Sequence, residues 1–133
     1  MGGGESLSSY TKENLIAELA KMPYAFSLIC YVDTEPAGLV NCFDGFSTFS
    51  CKPLINIHDI VVLDKFRGIG ISQLMLAEVV SIAKEKECCK ITLEVLEGNN
   101  PAKQAYLKHG FAAYELDPEM GKALFWQMQI ENT

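Results

Sequence analysis

The feature that most constrains this fold is a glycine turn, Arg67-Gly68-Ile69-Gly70-Ile71-Ser72, between an apolar run and an amphipathic pattern. The run Ile60-Val61-Val62-Leu63 has the length and β-branched content of a strand. After the turn, apolar residues recur at helical spacing over residues 71–83. The first amides of a helix have no partner within it, and glycine lets a ligand approach the backbone, so this stretch predicts a site for an anion such as phosphate. Lys65 and Arg67 are expected to add positive charge there.

The composition is that of an ordinary globular domain, with 49% hydrophobic and 21% charged residues among 133. We therefore expect a single domain over residues 1–133, with residues 1–8 flexible. The net charge of −6 argues against nucleic acid as the main partner, because a phosphate backbone requires a basic face. It is compatible with a cationic substrate such as an amine.

The cysteines argue against both a disulfide framework and a zinc site, because their number is odd and no Cys-x-x-Cys is present. We predict reduced thiols in a cytoplasmic protein. The sequence shows no run long enough to span a membrane and no signal-peptide pattern, so no membrane partner is expected.

The hydrophobic periodicity and turn residues predict the element order α-β-β-β-α-β-α-β-β. The predicted helices cover residues 11–21, 71–86 and 101–108, the last with Asn100 as its cap, and the predicted strands cover residues 25–32, 37–43, 55–63, 90–96, 111–116 and 123–130. Residues 44–53 are expected to form a turn or a longer loop. This order predicts an α/β (α+β mixed) sheet in which antiparallel hairpins flank a central β-α-β unit with a right-handed crossover.

Two segments resemble the signatures of the GNAT superfamily of N-acetyltransferases. The first family pattern is Gln/Arg-x-x-Gly-x-Gly/Ala after a strand; Arg67 and Gly70 match it, and Ser72 replaces the last small residue. The second is Asn-x-x-Ala-x-x-x-Tyr-x-x-x-Gly-Phe, and the matching residues are Asn99, Ala102, Tyr106, Gly110 and Phe111. The two segments lie in the family's order and spacing.

The resemblance implies an acyltransferase that moves an acetyl group from acetyl-CoA to a primary amine by direct attack, without a metal. The backbone amides of the turn would hold the cofactor's diphosphate; these residues are Arg67, Gly68, Ile69, Gly70, Ile71 and Ser72. The pantetheine arm would pair with the backbone of Ile60, Val61 and Val62, and Asn99 would contact it. Tyr106 would face the sulfur and protonate the departing thiolate, since a phenol with a pKa near ~10 can donate a proton.

The base that would take the proton from the acceptor amine is less well defined. Strand alternation places Asn56, His58, Ile60 and Val62 on one face, and some GNAT members carry a histidine or glutamate in this region, so we predict His58. Asp59 and Glu94 are alternatives, as is loss of the proton to water. His109 is interpreted as structural, because a cation is favoured at a helix C-terminus.

Two other functions stay open. A non-catalytic acyl-CoA-binding module would share the anion site without a base. A dinucleotide-binding oxidoreductase would explain Gly68 and Gly70 as half of its fingerprint, but Gln73 occupies the position of the third glycine.

GNAT proteins usually begin with another strand and helix before the helix predicted at residues 11–21. Without them the strand at residues 25–32 would be a bare edge. We therefore expect either a second copy that covers this edge, giving a homodimer, or a truncated form with reduced activity. The acceptor, a small-molecule or peptide amine, would be selected by residues 10–24, 44–53 and 117–122, where no motif occurs.

Overall fold

The computed structural model describes residues 7–113, 119–121 and 123–130. The elements are α1 (Ser9–Ala20), β1 (Ala25–Val32), β2 (Glu35–Ser47), β3 (Lys52–Val62), α2 (Ile71–Glu85), β4 (Ile91–Leu93) and α3 (Asn100–His109). A short 3-10 turn, Asp64–Phe66, connects β3 to the glycine turn. The order of these elements is the predicted one. None of the helices in the described ranges has the length and apolar character of a membrane-spanning segment.

The four strands form one mixed sheet in the order β1-β2-β3-β4. β1 and β3 are antiparallel to β2, and β4 is parallel to β3. The predicted hairpin and the central β-α-β unit are therefore confirmed. The parallel pairing is short, because Ile55–Ile57 pair with Ile91–Leu93 while β3 continues to Val62. A cleft opens where the two strands part.

The core lies between the sheet and one face of α2. Its apolar side chains are almost fully buried; they come from Val40, Cys42, Ile55 and Ile57 on the sheet and from Ile71, Met75, Leu76, Val79 and Ala83 on the helix. The helix approaches β2 so closely at Gly38 that a Cβ there would lie 2.8 Å from Met75 Cε. A second contact fixes α3 against α2, because Gln73 Nε2 donates to the Ala105 carbonyl at 3.1 Å.

Strand β2 is longer than predicted, and Asp44 and Gly45, which were assigned to a turn, lie within it. Pairing with Ile55 and Leu54 on β3 outweighs their turn preference. The Asp44 carboxylate also accepts from Lys86 Nζ, at the end of α2, at 2.9 Å, and Gly45 lies against the Leu54 side chain. Helix α1 begins before the predicted Thr11, because the hydroxyl of Ser8 caps it by accepting from the Thr11 amide at 3.2 Å.

The last two predicted strands are not seen in the described residues. Residues 111–113 and 123–130 have no strand pairing, and residues 114–116 lie outside the described ranges. Alternating apolar residues do not by themselves make a strand, because a strand needs a partner backbone. The side chains of Leu124, Phe125 and Trp126 are also about 80% exposed, so they do not pack on the sheet. Strand β4 is also shorter than predicted, Ile91–Leu93 rather than residues 90–96.

Candidate active site

The glycine turn has the backbone geometry of an anion site. Gly68 and Gly70 have φ angles of +82° and +87°, in the left-handed region that favours glycine. Gly70 immediately precedes α2, and no side chain caps the helix there. A Cβ at either glycine would meet no atom within 4 Å, so the space beside the turn is open. The first amides of α2 are thus available to a ligand.

The two cations predicted to strengthen this site are each paired with a carboxylate. Lys65 Nζ lies 2.6 Å from Glu35 Oε2, and Arg67 Nη1 lies 3.0 Å from Asp64 Oδ1. Arg67 Nε also donates to the Val62 carbonyl at 3.3 Å. The turn therefore carries less excess positive charge than the sequence suggested, and an anion bound there would be held mainly by backbone amides.

A groove of about 450 Å³ lies between the glycine turn and α3. Its lining residues are Ile60, Val62, Phe66, Arg67, Gly68, Gly70, Ile71, Ser72, Asn99, Pro101, Ala102, Ala105 and Tyr106. All the predicted cofactor residues except Val61 and Ile69 are among them. Ile69 is 63% exposed and points away from the protein interior.

A second cleft, of about 310 Å³, lies where β3 and β4 part. It shares Ile60, Asn99, Ala102 and Tyr106 with the groove, so the cleft and the groove adjoin at these residues. Its other lining residues include His58, Asp59 and Glu94. The fold thus brings the predicted acid, the predicted base and both alternative bases to one cleft, and the adjoining groove leads to the glycine turn.

Tyr106 is half-buried on α3, with its ring edge-to-face against Phe111 at a centroid distance of 5.9 Å. Burial raises the pKa of the Tyr106 phenol above its ordinary value near 10, so the hydroxyl is protonated at neutral pH. The ends of α3 fix its position: Asn99 Oδ1 caps the helix by accepting from the Ala102 amide at 3.3 Å, and Gly110 ends it with a φ of +108°.

The predicted alternation along β3 was wrong, because a β-bulge interrupts it. Asn41 pairs with Asp59 and Cys42 pairs with Ile57, so His58 is an extra residue without a partner on β2. Residues on both sides of the bulge, Ile57 and Ile60, pack against the core. Asn56 therefore does not share a face with Ile60. The exposed His58 ring stands edge-on to Phe43 at 5.3 Å.

Sequence reasoning missed Asn41, which is only 8% exposed in the middle of β2. Its Oδ1 accepts from Ser27 Oγ at 2.6 Å, and its Nδ2 donates to Asp59 Oδ2 at 3.1 Å. The available signal was a single amide side chain inside the apolar run of residues 39–43. Buried polar side chains need hydrogen-bond partners, so an amide in this run predicts that such partners lie next to it in the fold.

His109 has the structural role predicted for it. Its Nδ1 donates to Gln73 Oε1 at 3.0 Å, which joins the end of α3 to α2. No group of three or more His, Cys, Asp or Glu side chains within the described ranges is placed to hold a metal ion.

The sequence model of the acetyltransferase (GNAT) family matches residues 4–111. The chain belongs to the GNAT acetyltransferase family. The matched region includes the glycine turn, the residues that line the groove and the cleft, and Tyr106.

A curated relative of this GNAT chain is the proposed ribosomal protein bS18-alanine N-acetyltransferase of Bacillus subtilis strain 168. The two are 28% identical over 103 residues, which make up 77% of this chain and 64% of the relative. The chain thus spans just under two thirds of that relative's length.

Solved structures agree on the GNAT fold. A crystal structure of a probable acetyltransferase has a TM-score of 0.82 at 17% identity and covers 96% of this chain and 83% of its own. The aminoglycoside 6′-N-acetyltransferase of Acinetobacter haemolyticus has a TM-score of 0.74 at 18% identity, over 96% and 86% of the two chains. The predicted fold class is therefore confirmed.

Proposed function

We propose that this chain is an N-acetyltransferase that moves an acetyl group from acetyl-CoA to a primary amine. The observation that carries the proposal is that the groove at the glycine turn and the cleft at His58 adjoin, with Tyr106 lining both. Membership of the GNAT family supports it.

The residues of the groove fit acetyl-CoA, which supplies the acetyl group as a reactive thioester. The amides of Gly68, Gly70 and Ser72 would hold the diphosphate beside the open side of the turn. Beyond Ile57, β3 has no pairing with β4, so the backbone of residues 60–62 has no strand partner on that side for the amides of the pantetheine arm to displace. The Val62 carbonyl accepts from Arg67 Nε, and the arm would have to replace that bond to use this carbonyl.

Tyr106 would stabilise the departing sulfur by hydrogen bonding. Burial raises the pKa of its phenol above the ordinary value near 10, so the phenol holds its proton more tightly than an ordinary thiol with a pKa of about 8.5. A phenol that keeps its proton still donates a hydrogen bond to developing negative charge. The proton that finally reaches the thiol then comes from the amine.

His58 would take that proton from the amine. The bulge holds its ring out of the strand ladder and at the cleft that Tyr106 also lines. An imidazole can accept a proton at neutral pH, which the chemistry requires. Asp59 and Glu94 line the same cleft and are the alternative bases.

A thermal-shift comparison of acetyl-CoA, CoA and NAD tests the proposal, followed by measurement of thiol release across a panel of amines. We expect stabilisation by acetyl-CoA and CoA of about 2.7 kcal/mol at a hundredfold excess over Kd, and none by NAD. A binding module would be stabilised without releasing thiol, and an oxidoreductase would respond to NAD. The absence of any response to CoA would overturn the proposal.

We also propose that a second copy of the chain covers the edge of β1. Ile29 and Tyr31 on this strand are 52% and 58% exposed, and an apolar groove that includes Leu28, Leu74 and Met75 adjoins it. Two identical edge strands can pair antiparallel about a two-fold axis, which makes the edge self-complementary.

A further inference from the structure

A row of three polar side chains crosses the sheet on the face opposite α2. Ser27, Asn41 and Asp59 occupy matched positions on β1, β2 and β3. Val40 and Cys42, the neighbours of Asn41, pack in the core against α2. Because side chains alternate along a strand, Asn41 faces the other way, and its partners share that face.

The orientation of the Asn41 amide is fixed by its neighbours. Only its NH₂ group can donate to the Asp59 carboxylate, so its oxygen must accept from the Ser27 hydroxyl. One carboxylate oxygen, Oδ2, is thereby held, and within the described ranges Oδ1 makes no hydrogen bond or ion pair. The buried Asn41 amide thus orients the Asp59 carboxylate and leaves its Oδ1 available to a ligand.

Asp59 follows the bulged residue His58, and both line the cleft that Tyr106 also lines. Glu94 contributes a second carboxylate, and no Lys or Arg among the described residues lines this cleft. Its field is therefore negative and favours a cation.

We propose that Asp59, positioned by Asn41, anchors a second cationic group of the acceptor while another amine of the same molecule is acetylated. The inference rests on the proposed function and names its substrate class, amines that carry two positive charges. The anchored group cannot be the reacting one, since a carboxylate stabilises the ammonium form and the reacting amine must be neutral. Asn41 is a positioning residue, and Asp59 binds the substrate.

The test compares α,ω-diamines of three to six carbons with monoamines of the same length at saturating acetyl-CoA. In Asp59→Asn we expect the ratio of the KM for the preferred diamine to the KM for the matched monoamine to rise at least about tenfold, whereas loss of a base would lower kcat for both amines alike. In Asn41→Leu the same KM should rise about threefold or more, because the carboxylate loses its fixed direction. Raised salt should weaken diamine use by the wild type more than by Asp59→Asn, which keeps only the Glu94 carboxylate in the cleft.

Ser27→Ala is the matched control, because it removes the other hydrogen bond of Asn41 and leaves the bond to Asp59. It should leave the diamine preference within about twofold of wild type. An equal loss in Ser27→Ala, or equal effects on diamines and monoamines, would overturn the proposal. If Asn41→Leu does not fold, Asp59→Asn decides alone.

Failure of the proposed function is recognised separately. A wild-type chain that binds CoA and releases no thiol with any amine is not an acetyltransferase. Calorimetric titration of the same diamines into the CoA-bound chain still tests the anchor, with weaker binding to Asp59→Asn expected. Equal binding to both proteins would overturn the anchor.

Discussion

Burial of the Tyr106 ring keeps its hydroxyl protonated while packing against Phe111 holds it in place. Tyr106→Phe preserves the ring contact and removes only the donor. We expect kcat to fall about 10²-fold and the Kd for acetyl-CoA to change little. Single-turnover kinetics and a binding titration measure the two quantities. Equal losses in both would mean that Tyr106 is a packing residue.

Cys42 makes stability depend on pH in the alkaline range. Burial, with a smaller effect from Asp44, raises the pKa of its thiol from 9.0 to about 12. The unfolded chain ionises this thiol above pH 9 and the folded chain does not, so its contribution is complete below pH 9 and is lost as pH rises to 12. The free energy of unfolding should fall by about 1.4 kcal/mol per pH unit from this group.

Urea unfolding between pH 8 and pH 12 measures this dependence. Cys42→Ala should flatten the slope, whereas the exposed Cys89→Ala, as a control, should keep it. An unchanged slope in Cys42→Ala would assign the alkaline loss to other groups.

At the scale of the element, the turn before α2 combines a left-handed backbone with open space. Gly70→Ala places a methyl group in that space and strains the backbone by about 1–2 kcal/mol. We expect the Kd for acetyl-CoA to rise at least about tenfold, because the methyl group stands where a ligand must approach the amides.

Gly110→Ala is the matched control for this prediction. Gly110 also has a positive φ and no atom within 4 Å of a Cβ, but it ends α3 and does not line the groove. It should lose similar stability, measured by thermal unfolding, and keep its affinity for acetyl-CoA. A parallel loss of affinity in both variants would attribute the effect to general strain.

The elements from α1 to α3 were predictable because their local signals agree with their packing. The glycines at Gly70 and Gly110 and the apolar spacing on α2 each mark a boundary or a face, whereas the cap of α3 is Asn99 and not its neighbour Asn100. The bulge at His58 was not predictable, since one extra residue depends on the pairing of two strands and leaves no mark on the local pattern.

The partners of Asn41 were also beyond reach of the sequence. Ser27 and Asp59 lie 14 and 18 residues away, and only the strand register brings them together. The sequence shows that Asn41 is an unusual residue in an apolar run, but it does not show which side chains bond to it. The final strands were predicted from alternation, a signal that does not report whether a partner backbone is present.

At the scale of the whole molecule, the edge of β1 is the surface that we propose for dimerisation. Ile29→Lys would place two like charges near each other across a symmetric strand pair. We expect the wild type to be a dimer and Ile29→Lys a monomer, with light scattering over a range of concentrations as the measurement. Phe49→Lys, at a 99% exposed position in the β2–β3 turn, should remain dimeric. A monomeric wild type would contradict the proposal.

The short pairing between β3 and β4 has a consequence for the local stability of that side of the sheet. Three residue pairs join β4 to β3, fewer than join β1 to β2 or β2 to β3, so the β4–α3 end is the more weakly attached side of the sheet. An extended ligand lying between the separated strands would supply backbone hydrogen bonds that β3 and β4 do not make there, and it would stabilise that end. Amide hydrogen exchange of Ile91–Leu93 should therefore slow markedly when CoA is added, while exchange in β2, bonded on both sides, should hardly respond.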